Sequence, residues 1–260
     1  MGSKAIQGYL WGQRPDDWAN IQEPTCYSAY VYVLDKIALN SSVKLLDVGC
    51  GSGLFCSLAA EKGAAVTGID ATEALIARAK VKVPGAKFSV GEMEELPFED
   101  GSFDVVCGFN SFQYAADTKN ALSEAKQVLK PGGKICAMIW GNKEDCEAAT
   151  YLKAVGSLLP PPPPGAPGPF ALTENSVLEN ILAEIGFKNI DSVDVPSVWD
   201  YPDKDVALRG LLSAGPAVKA IEHSGIEKVS ETLSAAVVPY IQGNGHVVYH
   251  NKFRIVIAEK

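Results

Sequence analysis

The chain has 260 residues, 47% of them apolar and 21% charged, with a formal net charge of −8. Those proportions describe a globular chain long enough for a full core and exclude a disordered or fibrous one. The acidic balance argues against a nucleic-acid backbone as partner, and no apolar run reaches the roughly 18–20 residues of a membrane helix.

Met1-Gly2-Ser3-Lys4-Ala5-Ile6 carries no apolar leader stretch, so a cytoplasmic protein is expected. The six cysteines, at 26, 50, 56, 107, 136 and 146, form no Cys-x-x-Cys pair and have no histidine at zinc-ligand spacing. Reduced, buried thiols and no metal are the expectation.

The first 32 residues hold six aromatic residues, Tyr9, Trp11, Trp18, Tyr27, Tyr30 and Tyr32. The stretch from Trp11 to Trp18 reads as a loop entering a helix, with Asp16 or Asp17 at its start. A helical cap is expected here, its rings closing over a ligand. Trp11, Trp18 and Tyr27 are the candidate lid or substrate contacts.

From Leu45 onward, short apolar runs alternate with helical stretches. Residues 45–48 read as a strand, 49–53 as a glycine-rich turn, and 54–62 as a helix ended by Gly63. Residues 64–69, 87–90 and 103–109 read as further strands, with a helix over 72–80. Ala121, Leu122, Ala125, Val128 and Leu129 recur at helical spacing and predict one buried face. Pro131-Gly132-Gly133 is expected to end that helix, and 135–140 to form another strand. Repeated β-α-β units with near-continuous apolar strands predict a doubly wound, Rossmann-like α/β fold on a parallel sheet.

Beyond Trp140 a helix is expected over 143–158, followed by the proline run 160–164 as a stiff connector. Thr173 is placed to cap a helix reaching Ile185, and 187–195 returns as a strand. Residues 200–242 look helical but interrupted by glycine and proline. Residues 247–258 alternate as a terminal strand. The expected organisation is a cap (1–42), a cofactor-binding core (43–199), a helical lid insertion (200–245) and an antiparallel C-terminal strand (246–260).

Asp47-Val48-Gly49-Cys50-Gly51-Ser52-Gly53 is the most informative segment. It follows a strand and opens a helix, so its glycines let the backbone approach a ligand while the helix N-terminus offers free N–H donors. Asp70 stands at the end of the next strand, where a carboxylate can accept from both hydroxyls of a ribose. The dinucleotide pattern needs glycine at position 54, which is Leu54. Asp47, two residues before Gly49, suits a ligand with a cationic amino group and would repel a pyrophosphate. A nucleoside bearing an amino acid, S-adenosylmethionine, meets both conditions.

The run from Leu45 to Gly53 resembles motif I of the class I S-adenosylmethionine-dependent methyltransferases. Gly91-Glu92-Met93-Glu94-Glu95-Leu96-Pro97-Phe98, Gly101-Ser102-Phe103-Asp104-Val105-Val106 and Val128-Leu129-Lys130-Pro131-Gly132-Gly133 are similar to the "type 11" small-molecule branch. That branch includes ubiquinone and menaquinone biosynthesis enzymes, and the resemblance spans about residues 43–141. It implies that Gly49, Cys50, Gly51 and Gly53 pass under the methionine and ribose, with Asp47 near the amino group. It implies Asp70 on the ribose, Ala71 beside the adenine, Glu92 facing the adenine amino group, and the Met93 N–H on a ring nitrogen. Asn110 would meet the methionine end and Gln113 the methyl-transfer region. Glu92 stands where many relatives carry Asp.

The expected activity is methyl transfer to a small-molecule acceptor, driven by positioning, because the sulfonium supplies the electrophile. His223, His246 and His250 are the candidates for a general base, should the acceptor arrive protonated. Two alternatives remain open. One is a cofactor-binding protein without methyl transfer, either a regulator or a sulfonium-assisted rearrangement or decarboxylation enzyme; the other is an NAD-dependent oxidoreductase. The acceptor atom and the oligomeric state are not legible.

Overall fold

The computed structural model describes residues 2–161 and 168–260. Most of the expected proline connector, 160–164, lies outside them. The chain begins with α1 (Lys4–Trp11), a single turn α2 (Pro15–Asp17) and α3 (Tyr27–Lys36). The core follows as β1 (Lys44–Val48), α4 (Leu54–Glu61), β2 (Ala65–Asp70), α5 (Glu73–Lys82), β3 (Lys87–Val90), β4 (Phe103–Phe109), α6 (Thr118–Val128) and β5 (Leu129–Trp140). Then come α7 (Ala149–Gly156), α8 (Val177–Glu184), β6 (Lys188–Tyr201), α9 (Lys204–Leu212), α10 (Gly215–Ser224), α11 (Ile226–Val237) and β7 (Val247–Glu259).

The seven strands form one sheet in the order β3-β2-β1-β4-β5-β7-β6. β1 to β5 pair in parallel, and β7 runs antiparallel between β5 and β6. This is the doubly wound α/β sheet with an antiparallel C-terminal strand that the sequence predicts. Successive strand residues face opposite ways, so Leu45 packs on the cap side of the sheet and Leu46 on the other. α6 covers that second side with Ala121, Leu122, Ala125 and Val128, all buried. Asp117 caps it by accepting the Asn120 N–H at 3.0 Å. Each large aliphatic chain so buried contributes about 1.5–3 kcal/mol.

Four expectations shift, each for a tertiary reason. Leu129 is not the end of α6 but the first residue of β5, paired with Phe103; Pro131-Gly132-Gly133 lies inside the strand span. The helix expected over 143–158 is broken, and α7 starts only at Ala149. The backbone before it is tied to β7: Glu147 donates to the His250 carbonyl at 3.1 Å, and Ala148 donates to Asn251 Oδ1 at 2.9 Å. Thr173 does not cap a continuous helix. Its hydroxyl donates to the Trp140 carbonyl, and Asn175 and Ser176, both at positive φ, separate a 3-10 turn from α8. Finally β6 runs on to Tyr201, six residues past the expected end. Val195, Ser197, Trp199 and Tyr201 are buried in alternation along it, each paired to β7.

α9, α10 and α11 sit between β6 and β7 in the chain and lie over the same sheet side as the N-terminal segment. Arg209 of α9 donates to Asp17 at 3.0 Å, and Arg78 of α5 donates to Asp16 at 3.0 Å, so α2 is pinned from both sides. Among the described residues no helix is long and apolar enough to cross a membrane.

Candidate active site

β1 lies at the middle of the parallel sheet and ends at Val48, where the chain turns into the glycine-rich loop. Gly49 and Cys50 both donate to the Ile69 carbonyl, at 2.8 and 3.1 Å, so the loop folds back onto β2. Gly49, Gly51 and Gly53 have φ of +77°, +53° and +81°, a region that costs other L-residues strain. Asp70, at the end of β2, accepts the Gly51 N–H at 2.9 Å and the Thr72 N–H at 2.8 Å. Its carboxylate therefore fastens the loop to the start of α5 with one bond per oxygen, and each oxygen can accept again.

Asp47 is buried behind this loop. One oxygen receives the Cys56 thiol at 3.4 Å, while Oδ1 has no partner among the described residues. Burial pushes its carboxyl up to about 8, and the charges of Glu23 and Asp70 push the same way. Burial raises the Asp70 carboxyl as well.

The N-terminal segment closes the loop from above. Glu23 is 3% exposed and accepts both the Ser52 backbone N–H, at 3.1 Å, and the Ser52 hydroxyl. Lys82 lies 3.7 Å from that carboxylate and donates to the Ser52 hydroxyl at 2.9 Å. Burial raises the Glu23 carboxyl, and Ser52 and Lys82 oppose the rise. A side chain at Gly51 would stand 2.8 Å from Glu23 Oε1 and 3.4 Å from Trp18 Nε1, so the segment needs a bare backbone there. One side chain at Gly8 of α1 would likewise run into the Ala71 carbonyl. Trp11 meets Trp18 edge to face at 4.6 Å and Tyr114 at 5.3 Å.

Two cavities open beneath these rings. The first is bounded by Gly49, Gly51, Asp70, Ala71, Met93 and Asn110 under Trp11 and Trp18. The second is bounded by Gln113 and by aromatic residues of β5, β6, β7 and α7. Trp11, Trp18, Cys26, Asn110 and Tyr114 line both, so the cavities adjoin. Asn110 follows β4 at φ +50°, held by its N–H to the Met138 carbonyl at 2.8 Å. Its Oδ1, the Ser111 hydroxyl, the Gln113 Oε1 and the Trp18 indole N–H are buried with no partner. Such atoms are costly unless a ligand meets them.

The sequence-derived candidates thus separate by position. Gly49, Gly51, Asp70, Ala71, Met93 and Asn110 line the first cavity, and Gln113 the second. Asp47, behind the loop, and Cys50 and Gly53, within it, line neither. Glu92 borders a small recess beside the first cavity, with Ser3. It accepts the Lys4 N–H at 2.8 Å and the Ser3 hydroxyl at 3.3 Å, so it caps α1. Trp11 and Trp18 line both cavities, whereas Tyr27 is 51% exposed at the start of α3 and lines neither. The three histidines also lie outside both: His223 ends α10, His246 pairs with Asp200 at 2.7 Å on the surface, and His250 is exposed on β7. Glu23, Tyr30, Ser111, Trp140 and Trp199 were not singled out as site residues by sequence. The six cysteines are buried free thiols.

Comparison with known proteins adds the family. A methyltransferase domain model matches residues 46–137, the span that carries the loop, Asp70, Glu92 and Asn110. Over those residues the chain is similar to the methyltransferase domains of the type 11 family. Among curated relatives, an O-methyltransferase of Penicillium expansum is 29% identical over 75% of the chain and 70% of its own length. A demethylmenaquinone methyltransferase of Chlorobaculum tepidum is 41% identical over 37% of the chain, and that match covers only 39% of the relative. The solved structure of the Bacillus subtilis protein YcgJ shares the fold, at TM-score 0.60 and 18% identity, over 90% of this chain and 98% of that one.

The residues present fit the cofactor that such a domain implies. The loop leaves open backbone at Gly49 and Gly51, Asp70 keeps acceptor capacity, and the orphaned Asn110 and Ser111 atoms await polar partners. A diphosphate fits poorly, because Glu23 already holds the Ser52 N–H at the start of α4.

Proposed function

We propose that this chain transfers a methyl group from S-adenosylmethionine to a small-molecule acceptor. When bound, the cofactor supplies the electrophilic methyl carried on a sulfonium. The adjoining of the two cavities carries this reading, since a crevice holding the Asp70 carboxylate and an aromatic chamber meet at a wall formed by Trp11, Trp18, Cys26, Asn110 and Tyr114. In the first cavity Asp70 receives the ribose hydroxyls, and Ala71, Leu75 and Met93 flank the base. Asn110 and Ser111 bind the amino-acid end, and Asp47 stabilises its ammonium through the loop. Trp11, Trp18 and Tyr30 line this cavity with aromatic rings, which favour a cation and exclude water.

No histidine, lysine or carboxylate lines the second cavity, and its ionisable groups are Cys26, Tyr114 and Tyr151. Burial pushes the Cys26 thiol up to about 12 and raises both tyrosines, so none of them is an anion at neutral pH. Positioning, worth up to roughly 7–11 kcal/mol, is therefore the contribution assigned to this chain. The cap (1–42) supplies one side of the acceptor enclosure, the sheet and α7 supply the other, and the helical insertion (200–245) adds Ala214 and Pro216.

The test is a mass-spectrometric screen for S-adenosylhomocysteine release with a panel of neutral acceptors. Acceptor-dependent release and a product heavier by one methylene support the proposal. Tight cofactor binding with no release across the panel would favour a regulator or a sulfonium-assisted rearrangement instead.

A further inference from the structure

The polar atoms in the wall of the second cavity fall into two groups. Those of the framework are already paired: the Tyr151 hydroxyl donates to the Leu211 carbonyl at 2.9 Å, the Thr25 hydroxyl to the Gln22 carbonyl, and Gln22 Oε1 accepts from Tyr201 at 2.9 Å. The others have no partner among the described residues: Trp18 Nε1 and Asn110 Oδ1, which border the first cavity as well, and the indole N–H of Trp199, which is 3% exposed, with Gln113 Oε1. Trp199 and Gln113 line the second cavity alone. One is a donor and the other an acceptor, so a single hydroxyl, which accepts and donates, satisfies both kinds.

The rest of the wall specifies the body of the ligand. Trp140, Trp199 and Phe253 line it from the sheet, Tyr151 from α7, and Trp11 and Trp18 from the N-terminal segment. Trp140 stands 5.5 Å from Trp199 and 5.2 Å from Phe253, tilted against both. Rings so arranged favour a flat conjugated partner over an alkyl chain. No charged side chain borders the cavity, so an ionised carboxylate, phosphate or ammonium would enter without a counter-charge.

We propose that the second cavity binds an uncharged, flat, conjugated ring compound bearing a hydroxyl group, held through the Trp199 indole and Gln113. This names the acceptor class for the methyltransferase reading and rests on it for the identity of the neighbouring ligand. Trp199 acts here as a specificity-determining residue, contributed by the β6 extension and not by the cofactor-binding core.

Calorimetric titration of the full chain with three matched probes tests it: 2-naphthol, 6-hydroxy-2-naphthoate and decahydro-2-naphthol, each with and without S-adenosylhomocysteine. The expected order has 2-naphthol tightest. The carboxylate should be weaker by at least about 30-fold, through an unpaired charge in an apolar site, and the saturated alcohol by about fivefold. Trp199→Phe keeps the ring and removes the N–H, and should weaken 2-naphthol by about fivefold. Leu152→Lys, at a half-buried wall position, should reverse the preference toward the carboxylate. Both variants should bind S-adenosylhomocysteine as the parent does.

A carboxylate that binds the parent as well as 2-naphthol, or 2-naphthol binding that ignores both substitutions, overturns the proposal. Loss of S-adenosylhomocysteine binding with this probe order intact would instead count against the methyltransferase reading and leave the ligand class standing.

Discussion

Asp47 holds its proton because the loop and β1 shut it from water, and the neighbouring carboxylates of Glu23 and Asp70 make a further negative charge unwelcome. A folded carboxyl titrating near 8, against about 3.9 in an unfolded chain, keeps a proton that the unfolded state has lost. Stability contributed by this group is therefore complete below about pH 4 and falls as pH rises toward 8. Asp47→Asn should remove that slope, so its Tm should gain on the parent's between pH 5 and pH 8 in scanning calorimetry. The same variant should bind S-adenosylhomocysteine about tenfold more weakly, since a ligand ammonium would lose its buried counter-charge. At Gly51 the constraint is steric. Gly51→Ala places a methyl 2.8 Å from Glu23 Oε1 at φ +53° and should cost about 1–3 kcal/mol in urea denaturation.

Among the elements, α1 is the one whose position the site depends on. Its first turn is held by the Glu92 carboxylate, its middle lies against Ala71 through Gly8, and its end sets Trp11 over both cavities. Glu92→Ala removes the acceptor for the Lys4 N–H and should loosen α1 by about 0.5–2 kcal/mol. Hydrogen exchange across residues 4–11 should then speed up while α6 stays protected. Elements with a local signature were readable in advance: the glycine loop between β1 and α4, and the α6 face of Ala121, Leu122, Ala125 and Val128. Elements shaped by distant partners were not. Pro196 and Asp200 look like breakers, yet the strand passes through them because it lies at the sheet edge and every second residue is buried against β7. The break before Ala149 likewise depends on Asn251, more than 100 positions away.

At the scale of the whole molecule, the fold places a crevice holding the Asp70 carboxylate at the ends of the parallel strands and covers it with the N-terminal segment. Asp70 was legible from its place at the end of the second strand and Asn110 from the family resemblance, and both line the crevice. The enclosure was legible only as an aromatic bias in the first 32 residues. Glu23 is one of three acids in that stretch, with Asp16 and Asp17, and no local pattern points it at Ser52. Trp140 and Trp199 become neighbours only when β7 inserts between β5 and β6.

The account turns on this crevice taking a cationic amino acid joined to a nucleoside. Calorimetric titration with S-adenosylhomocysteine at pH 7, repeated in buffers of different ionisation enthalpy, measures both binding and the accompanying proton. One-to-one binding with net proton release is the predicted result, because an arriving ammonium lowers the Asp47 carboxyl from about 8. Absence of binding, or preferential binding of NADH in a parallel titration, would contradict it.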